Sequence, residues 1–507
     1  MDKTSIILTS DVPSATLTRR VRAGELVRLA QGVYTSAVDD DPAAVVRREW
    51  PTIAGRLYPG AVITDRSAPV GGPVNGVLYL AHDARARETA LPGLLIRARS
   101  GAGPQPGDIE LPGGLHQAGK ARALAENARP TRARDGQLSA GLTDTELADW
   151  IDRICRLDGE ERLYEYRARA EALGEVTGTS PAALARLSKL IGTALGTQRA
   201  DSGSAALNSR RAGLPYDSDR LDRFGVLITA LGEALPQNRP ADEAQARYRH
   251  MPFFESYFSN YIEGTEFEIS EAIALVYEGQ PPGRRTQDAH DLIGTWRVVS
   301  DHNDLARRPR TPTEYVDTLR RRHAEVMAGR PDKNPGVFKE KANQAGNTTF
   351  VLPGLVEGTL RAAFDRIAEL DTAWERAVYA MFAVSEVHPF DDGNGRIARV
   401  MMNAELVSGG QTRIIIPTVF RDDYIGALRR LTRHADPSVL IKVLRIGQDF
   451  TALVDFAELT TAVRQLQAAD AFEPAGATHQ LNLAALRAAR PSIIDTYPDA
   501  DSEGSRS

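Results

Sequence analysis

Residues 388–403, HPFDDGNGRIARVMMN, decide the reading of this chain. They follow TAWERAVYAMFAVSEV at 372–387, where Trp374, Ala377, Val378, Met381 and Phe382 recur at helical spacing and make one apolar stripe. The spacing predicts a buried helix that delivers His388 to a turn. Asp392, Gly393, Asn394 and Gly395 are turn formers. A second helix begins directly after them, with Ile397, Met401, Ala404 and Ser408 on one side and Gly409 and Gly410 as its stop. The unit is helix, loop, helix.

At about 100° per residue, Arg396, Arg399 and Asn403 fall within about 60° of one another on the second helix, away from its apolar side. Two cations thus share one face near a helix amino terminus. The free N–H groups of Gly393 to Gly395 and the positive end of the helix dipole make that terminus an anion site, and the glycines let phosphate oxygens approach the chain. A polyphosphate suits it. Asp392 at the loop edge suits Mg²⁺ shared with phosphate oxygens, because that ion often takes only one or two carboxylates. His388 stands where a neutral imidazole can accept a proton from a hydroxyl. Each residue also has a plainer reading: a histidine before proline is usually structural, DGNG is a common turn, and arginines on a helix mostly face solvent.

The rest of the chain sets the frame. Its 507 residues exceed one compact core, and 42% apolar with 25% charged residues is the composition of a folded globular protein. With 62 basic against 67 acidic side chains the net charge is -5, so any attraction to nucleic acid or lipid must be local. Cys155 is the only cysteine, which excludes an internal disulfide and a cysteine-built zinc site and fits a reducing compartment. Apolar runs such as FGVLITAL at 224–231 are too short to span a bilayer, and the apolar stretch in MDKTSIILTSDVP at the start is too short for a signal peptide. A cytoplasmic protein without membrane contact is expected.

In the first 36 residues, Leu17, Val21, Leu26, Val27 and Leu29 are interleaved with basic positions, Gly24 is a turn and VYT a strand, the outline of a winged helix-turn-helix. Arg19, Arg20, Arg22 and Arg28 face a single acid, Glu25, so DNA contact and a solvated basic face are both open readings. Residues 37–130 alternate short apolar runs with Gly and Pro, as a small α+β module does. Helical patterns begin near 140. TQRADSGSAALNSRRAG at 197–213 reads as a linker or exposed connection, and TYPDADSEGSRS at the end as disordered. The expected division is 1–36, 37–200, 205–455, and a helical segment with a tail at 456–507.

Residues 388–399 match HxF-x-(D/E)-GNGR-x-x-R at every specified position, and in this they resemble the Fic family. The resemblance spans about residues 205–450. It implies a mainly α structure, the helical Fic fold with a β-hairpin flap, and transfer of AMP from ATP to a Ser, Thr or Tyr hydroxyl of a protein, self-modification included. By motif position His388 is then the base, Asp392 the Mg²⁺ ligand, Gly393, Asn394 and Gly395 the anion hole, and Arg396 and Arg399 the phosphate binders, with Asn403 beside them and Phe390 packed inward. SNYIEG at 259–264 resembles the family's inhibitory motif, with Ser259 and Glu263 on one helical face; the implied role of Glu263 is to pair with Arg399 and exclude the ATP γ-phosphate from its productive pose. GVFKEKANQAGNTTFVLPG at 336–354 has a hairpin pattern and looks like the flap, with Thr349, Phe350 and Val351 as the strand that holds the target. Tyr424, in RDDYIGALRR, matches a place where the family often has an aromatic near the nucleotide base.

LxRRVRAGELVRLAQGVY resembles the start of AbiEi-type antitoxins and regulators, which begin with a winged helix. Two rivals to adenylyl transfer follow. One is transfer of another phosphate-containing group. The other is a DNA-binding, toxin-antitoxin-like regulator whose Fic half senses nucleotide, against which stands the intact histidine.

Overall fold

The computed structural model describes residues 5–488 apart from 84–86, 112, 134–137, 236, 242–244, 280–285, 475 and 477–479. The chain forms two compact units, 1–213 and 214–507. The expected disordered tail lies outside the described residues.

The first unit opens with strands β1 (Ile6–Leu8), β2 (Val27–Ala30) and β3 (Val33–Thr35), paired antiparallel in the order β1-β3-β2. Between β1 and β2 lies the helix Ser14–Arg22, the one helix among residues 5–36. The winged helix-turn-helix outline is corrected here. Gly24, at φ 73°, turns the chain out of the helix, and the segment after it enters β2, with Leu26 and Leu29 buried, instead of forming a second helix. A six-stranded mixed sheet follows, from β4 (Val62–Ile63), β5 (Val77–His82), β6 (Arg87–Leu91), β7 (Leu94–Ser100), β8 (Ile109–Leu111) and β9 (Leu115–Gln117), in the order β6-β7-β5-β4-β9-β8. Val45, Val46 and Ile53 of the helix Pro42–Leu57 pack on Leu78, Leu80 and Ile96 of this sheet. The segment 197–213 is folded and not a bare linker. Ser204 caps the helix Ala205–Arg211 by accepting from the Leu207 amide, and Ala206 and Leu207 are buried.

Among its described residues the second unit is helical apart from the hairpin of β10 (Gln344–Ala345) and β11 (Thr348–Thr349). At its centre runs the helix Ala373–Val387, started by a capping box between Thr372 and Glu375. The sequence pattern shows one apolar stripe, but Tyr379, Ala380, Ala383 and Val384 are buried as well as that stripe, so the helix is enclosed on all sides. Against it lies the motif helix, Asn394–Ser408, which is buried from Arg396 to Val407. Three more helices frame the loop between these two: Met251–Ile262, Thr286–Ser300 and Pro312–Val326. Among the described residues no helix is long and apolar enough to cross a membrane.

Candidate active site

The central helix ends because His388 adopts a left-handed conformation, φ 51° and ψ 61°, and Pro389 then bars a return to helix. Such a conformation costs a non-glycine residue ~1–3 kcal/mol, so the surroundings must hold it. One support is its own ring: Nδ1 lies 3.2 Å from the Ser385 carbonyl oxygen. With the proton on Nδ1 donated there, Nε2 carries the lone pair. Burial pushes the imidazole down to about 4, helped by the nearby Lys339 charge and opposed by the Ser385 hydrogen bond and the carboxylates of Glu263 and Asp392. The ring is therefore neutral at neutral pH, as a base must be. Phe350 stacks on it, centroids 3.8 Å apart and planes 7° from parallel.

Phe390 packs inward, fully buried and stacked 3.6 Å from His323. His323 accepts the Gly336 amide on Nδ1 and donates from Nε2 to the Asp392 carbonyl, which pins the loop from below. Asn394 latches the loop on itself: its side chain accepts the Phe390 amide and donates to the Phe390 carbonyl. The anion hole is thus left to backbone. Gly393 takes φ 73°, and a Cβ there would meet Met327 Sδ at 2.7 Å. Past it, the amides of Asn394, Gly395 and Arg396 are in the first turn of a 15-residue helix and have no intrahelical acceptor. Asp392 keeps 40% of its side chain exposed and accepts the Gly393 amide on Oδ1.

The two motif arginines do not face solvent. Arg396 is 3% exposed, with Nη1 2.7 Å from Asp291 Oδ2 and Nη2 3.7 Å from Asp392 Oδ1. Arg399, 4% exposed, donates from Nε to Ser259 Oγ at 2.9 Å and from Nη2 to the Ser259 carbonyl at 2.8 Å and Glu263 Oε1 at 2.7 Å. These contacts belong to a ladder between the helix Met251–Ile262 and the motif helix. Glu255 meets Asn403, Ser259 meets Arg399, and the carboxylate of Glu263 lies against Gly395. Each four-residue step up one helix is matched by a four-residue step down the other, as antiparallel packing requires. Glu263 caps the negative end of its own helix but sits at the positive end of the motif helix, where a carboxylate is favoured.

Three expected site residues are placed otherwise. Asn403 is fully buried and spent on protein: Nδ2 donates to Glu255 Oε1 and the Ile414 carbonyl, and Oδ1 accepts the Ile414 amide. It has no hydrogen bond left for a phosphate. Tyr424 is 1% exposed, with its hydroxyl on Met381 Sδ and its ring 6.0 Å from the Arg399 guanidinium, so it floors that arginine. Of the flap trio, Thr349 is in β11 and exposed and Phe350 covers His388, but Val351 is wholly buried in the core and cannot meet a target strand. Sequence reading missed Asp291, Lys339 and Asn343. Their only local signal is a charge or amide within helical or hairpin pattern, and their partners are remote in sequence.

Comparison with known proteins gives the same region. The family model described as Fic/DOC family matches residues 313–406. A Fido domain-containing protein of Dictyostelium discoideum is 31% identical over 104 residues, 20% of this chain and 73% of its own length. The chain belongs to the Fic/DOC family. Within that family it is 25% identical over 208 residues to protein adenylyltransferase fic-1 of Caenorhabditis elegans and 26% identical over 247 residues to protein adenylyltransferase Fic of Nematostella vectensis. Those alignments cover 38% and 46% of this chain, which spans 41% and 56% of the two relatives' lengths.

Proposed function

We propose that the chain is a protein adenylyltransferase held inactive by Glu263. The observation that carries the reading is His388, its Nδ1 held 3.2 Å from the Ser385 carbonyl oxygen, on the same loop as the helix terminus where Gly395 and Arg399 meet a carboxylate. Relatives named protein adenylyltransferase support it. In the reaction, His388 Nε2 takes the proton of a Ser, Thr or Tyr hydroxyl. The oxygen bonds to the ATP α-phosphorus as the bond from that phosphorus to the bridging oxygen breaks, and pyrophosphate leaves. The amides of residues 394–396 with Arg396 and Arg399 hold the phosphates.

For Mg²⁺ the fit rests on Asp392. Among the described residues no cluster of three His, Cys, Asp or Glu side chains forms a metal cage, and Asp392 is half exposed at the cradle's edge. One carboxylate suits an ion completed by phosphate and water, which would neutralise phosphate charge.

Glu263 supplies the inhibition. Its carboxylate fills the place at Gly395 and Arg399 that a terminal phosphate needs, so ATP binds only in a displaced pose. The test is incubation with α-labelled ATP and Mg²⁺, comparing wild type, Glu263→Gly and His388→Ala for labelled protein, self-modification included. Absence of label from Glu263→Gly on every protein of a lysate defeats the reading. A label that transfers only from another position of the nucleotide would assign a different phosphate-containing group.

For the first unit, the exposed Arg19, Arg22 and Arg28 support DNA contact from the helix Ser14–Arg22 and β2, while Arg20 is engaged by Glu25 at 3.0 Å. The lone cysteine supports a cytoplasmic setting.

A further inference from the structure

A helix of 15 residues that ends on a left-handed histidine leaves its last carbonyls without intrahelical donors. Here the root of the flap supplies them. Lys339 Nζ donates to the carbonyls of His388 at 2.8 Å and Val387 at 3.4 Å, and the Lys339 amide donates to that of Pro389 at 2.9 Å. Asn343 Nδ2 donates to Phe390 at 3.1 Å and His388 at 3.4 Å. The third ammonium proton of Lys339 goes to Asn343 Oδ1 at 2.6 Å, so all three of its donors are used.

Lys339 is 3% exposed, a costly place for an ammonium. The negative end of the central helix offsets part of that cost. The remaining charges that bear on it are Arg220 and Asp391. From the same root, the Asn343 carbonyl accepts the amide of Phe350, whose ring stacks on the imidazole. Lys339 and Asn343 therefore join three things: the turn at His388, the ring that covers it, and the hairpin that follows.

We propose that Lys339, braced by Asn343, is the positioning residue of His388: it holds the left-handed turn that presents Nε2, and it couples that turn to the flap. The proposal rests on the reading of His388 as the base. A lysine present only to fill space could be replaced by methionine with no effect on the tautomer of the imidazole. A positioning lysine could not.

The test uses the full chain and nitrogen NMR of the His388 ring, assigned by difference from His388→Ala. In wild type the ring is expected as the Nδ1–H tautomer, titrating at about 4 with Lys339, Glu263 and Asp392 as the charges that face it. Folded Lys339→Met is expected to show mixed tautomers and a midpoint moved upward. In a Glu263→Gly background the same change should lower kcat for nucleotide transfer by roughly 10²-fold through misplacement of the base. KM for ATP should stay within about twofold, since the cradle is untouched. An unchanged tautomer in Lys339→Met overturns the proposal, whatever the midpoint does, because loss of the lysine charge alone raises the midpoint. Where Lys339→Met does not fold, Asn343→Ala decides by the same readout. If Glu263→Gly transfers nothing, the adenylyltransferase reading falls, while the ring's tautomer still decides the brace.

Discussion

Glu263 Oε1 and Arg399 Nη2 stand 2.7 Å apart, and the same carboxylate oxygen occupies the space into which any side chain at position 395 would grow. The glutamate therefore satisfies the motif arginine and covers the amide end of the motif helix at once. Both are where a phosphate would go.

Glu263→Gly should raise nucleotide transfer and lower stability together. Arg399 keeps its two bonds to Ser259, so the stability loss should be roughly 1–3 kcal/mol, the cost of one lost partner to a buried donor. Each ~1.4 kcal/mol of misalignment relieved appears as about tenfold in rate. The checks are a melting curve and auto-labelling with α-labelled ATP. Adding Arg399→Ala should return transfer to a low level; if it does not, the gain does not run through the arginine.

Gly395→Ala should break the same pair without activating the protein. Its methyl group displaces the Glu263 carboxylate but also stands in the path of phosphate oxygens to the amides of 394–396. Overpacking of this kind costs ~1–3 kcal/mol, and ATP affinity measured by calorimetry should fall. A gain in transfer equal to that of Glu263→Gly would show that phosphate does not approach Gly395.

The pH profile of transfer, measured in Glu263→Gly, should lack an acid limb near 6.5. Burial holds His388 at about 4 and Lys339 at about 8, so the rate should be flat from about pH 5 and decline above about 8 as the lysine loses its proton. The stability sign for His388 follows from its depressed value. Unfolded, it binds a proton below ~6.5; folded, only below about 4; so its contribution is present above ~6.5 and is lost as pH falls through 4. An acid midpoint near 6.5 would place the base in solvent.

Asp392→Ala should remove Mg²⁺-dependent transfer, with part of it restored by excess metal, because Asp392 is the carboxylate that the cradle's edge offers the ion, while its neighbour Asp391 accepts from Asn334. Calorimetry of wild type should detect Mg²⁺ uptake only when ATP is present. Full transfer in EDTA would dismiss the metal.

Residues 214–507 hold every residue of the candidate site, so that unit with Glu263→Gly should transfer nucleotide alone. Residues 1–213 should bind DNA weakly, with a salt slope that falls by about 0.9 per phosphate contact when Arg19 and Arg22 become alanine. No affinity at low salt would assign the unit to protein recognition.

What the sequence determined by itself is what depends on neighbours within a turn or two: the helix, loop, helix unit, the stop at His388 before Pro389, the glycines of the loop, and a hairpin around Gly346 and Asn347. Backbone sterics and capping set these wherever the chain lies. The tertiary structure decided which polar atoms remain available. Arg399 finds Glu263 136 residues away, Asn403 finds Glu255 148 away, and Lys339 reaches the His388 carbonyl across 49. On a helical wheel Asn403 and Arg399 share a face, and both meet the helix Met251–Ile262, but Asn403 spends its amide protons on Glu255 and the Ile414 carbonyl while Arg399 reaches Ser259 and Glu263, a difference made by packing. For the same reason Val27 and Leu29 became strand positions: an apolar pattern of a few residues suits either element, and the strand beside them settled it.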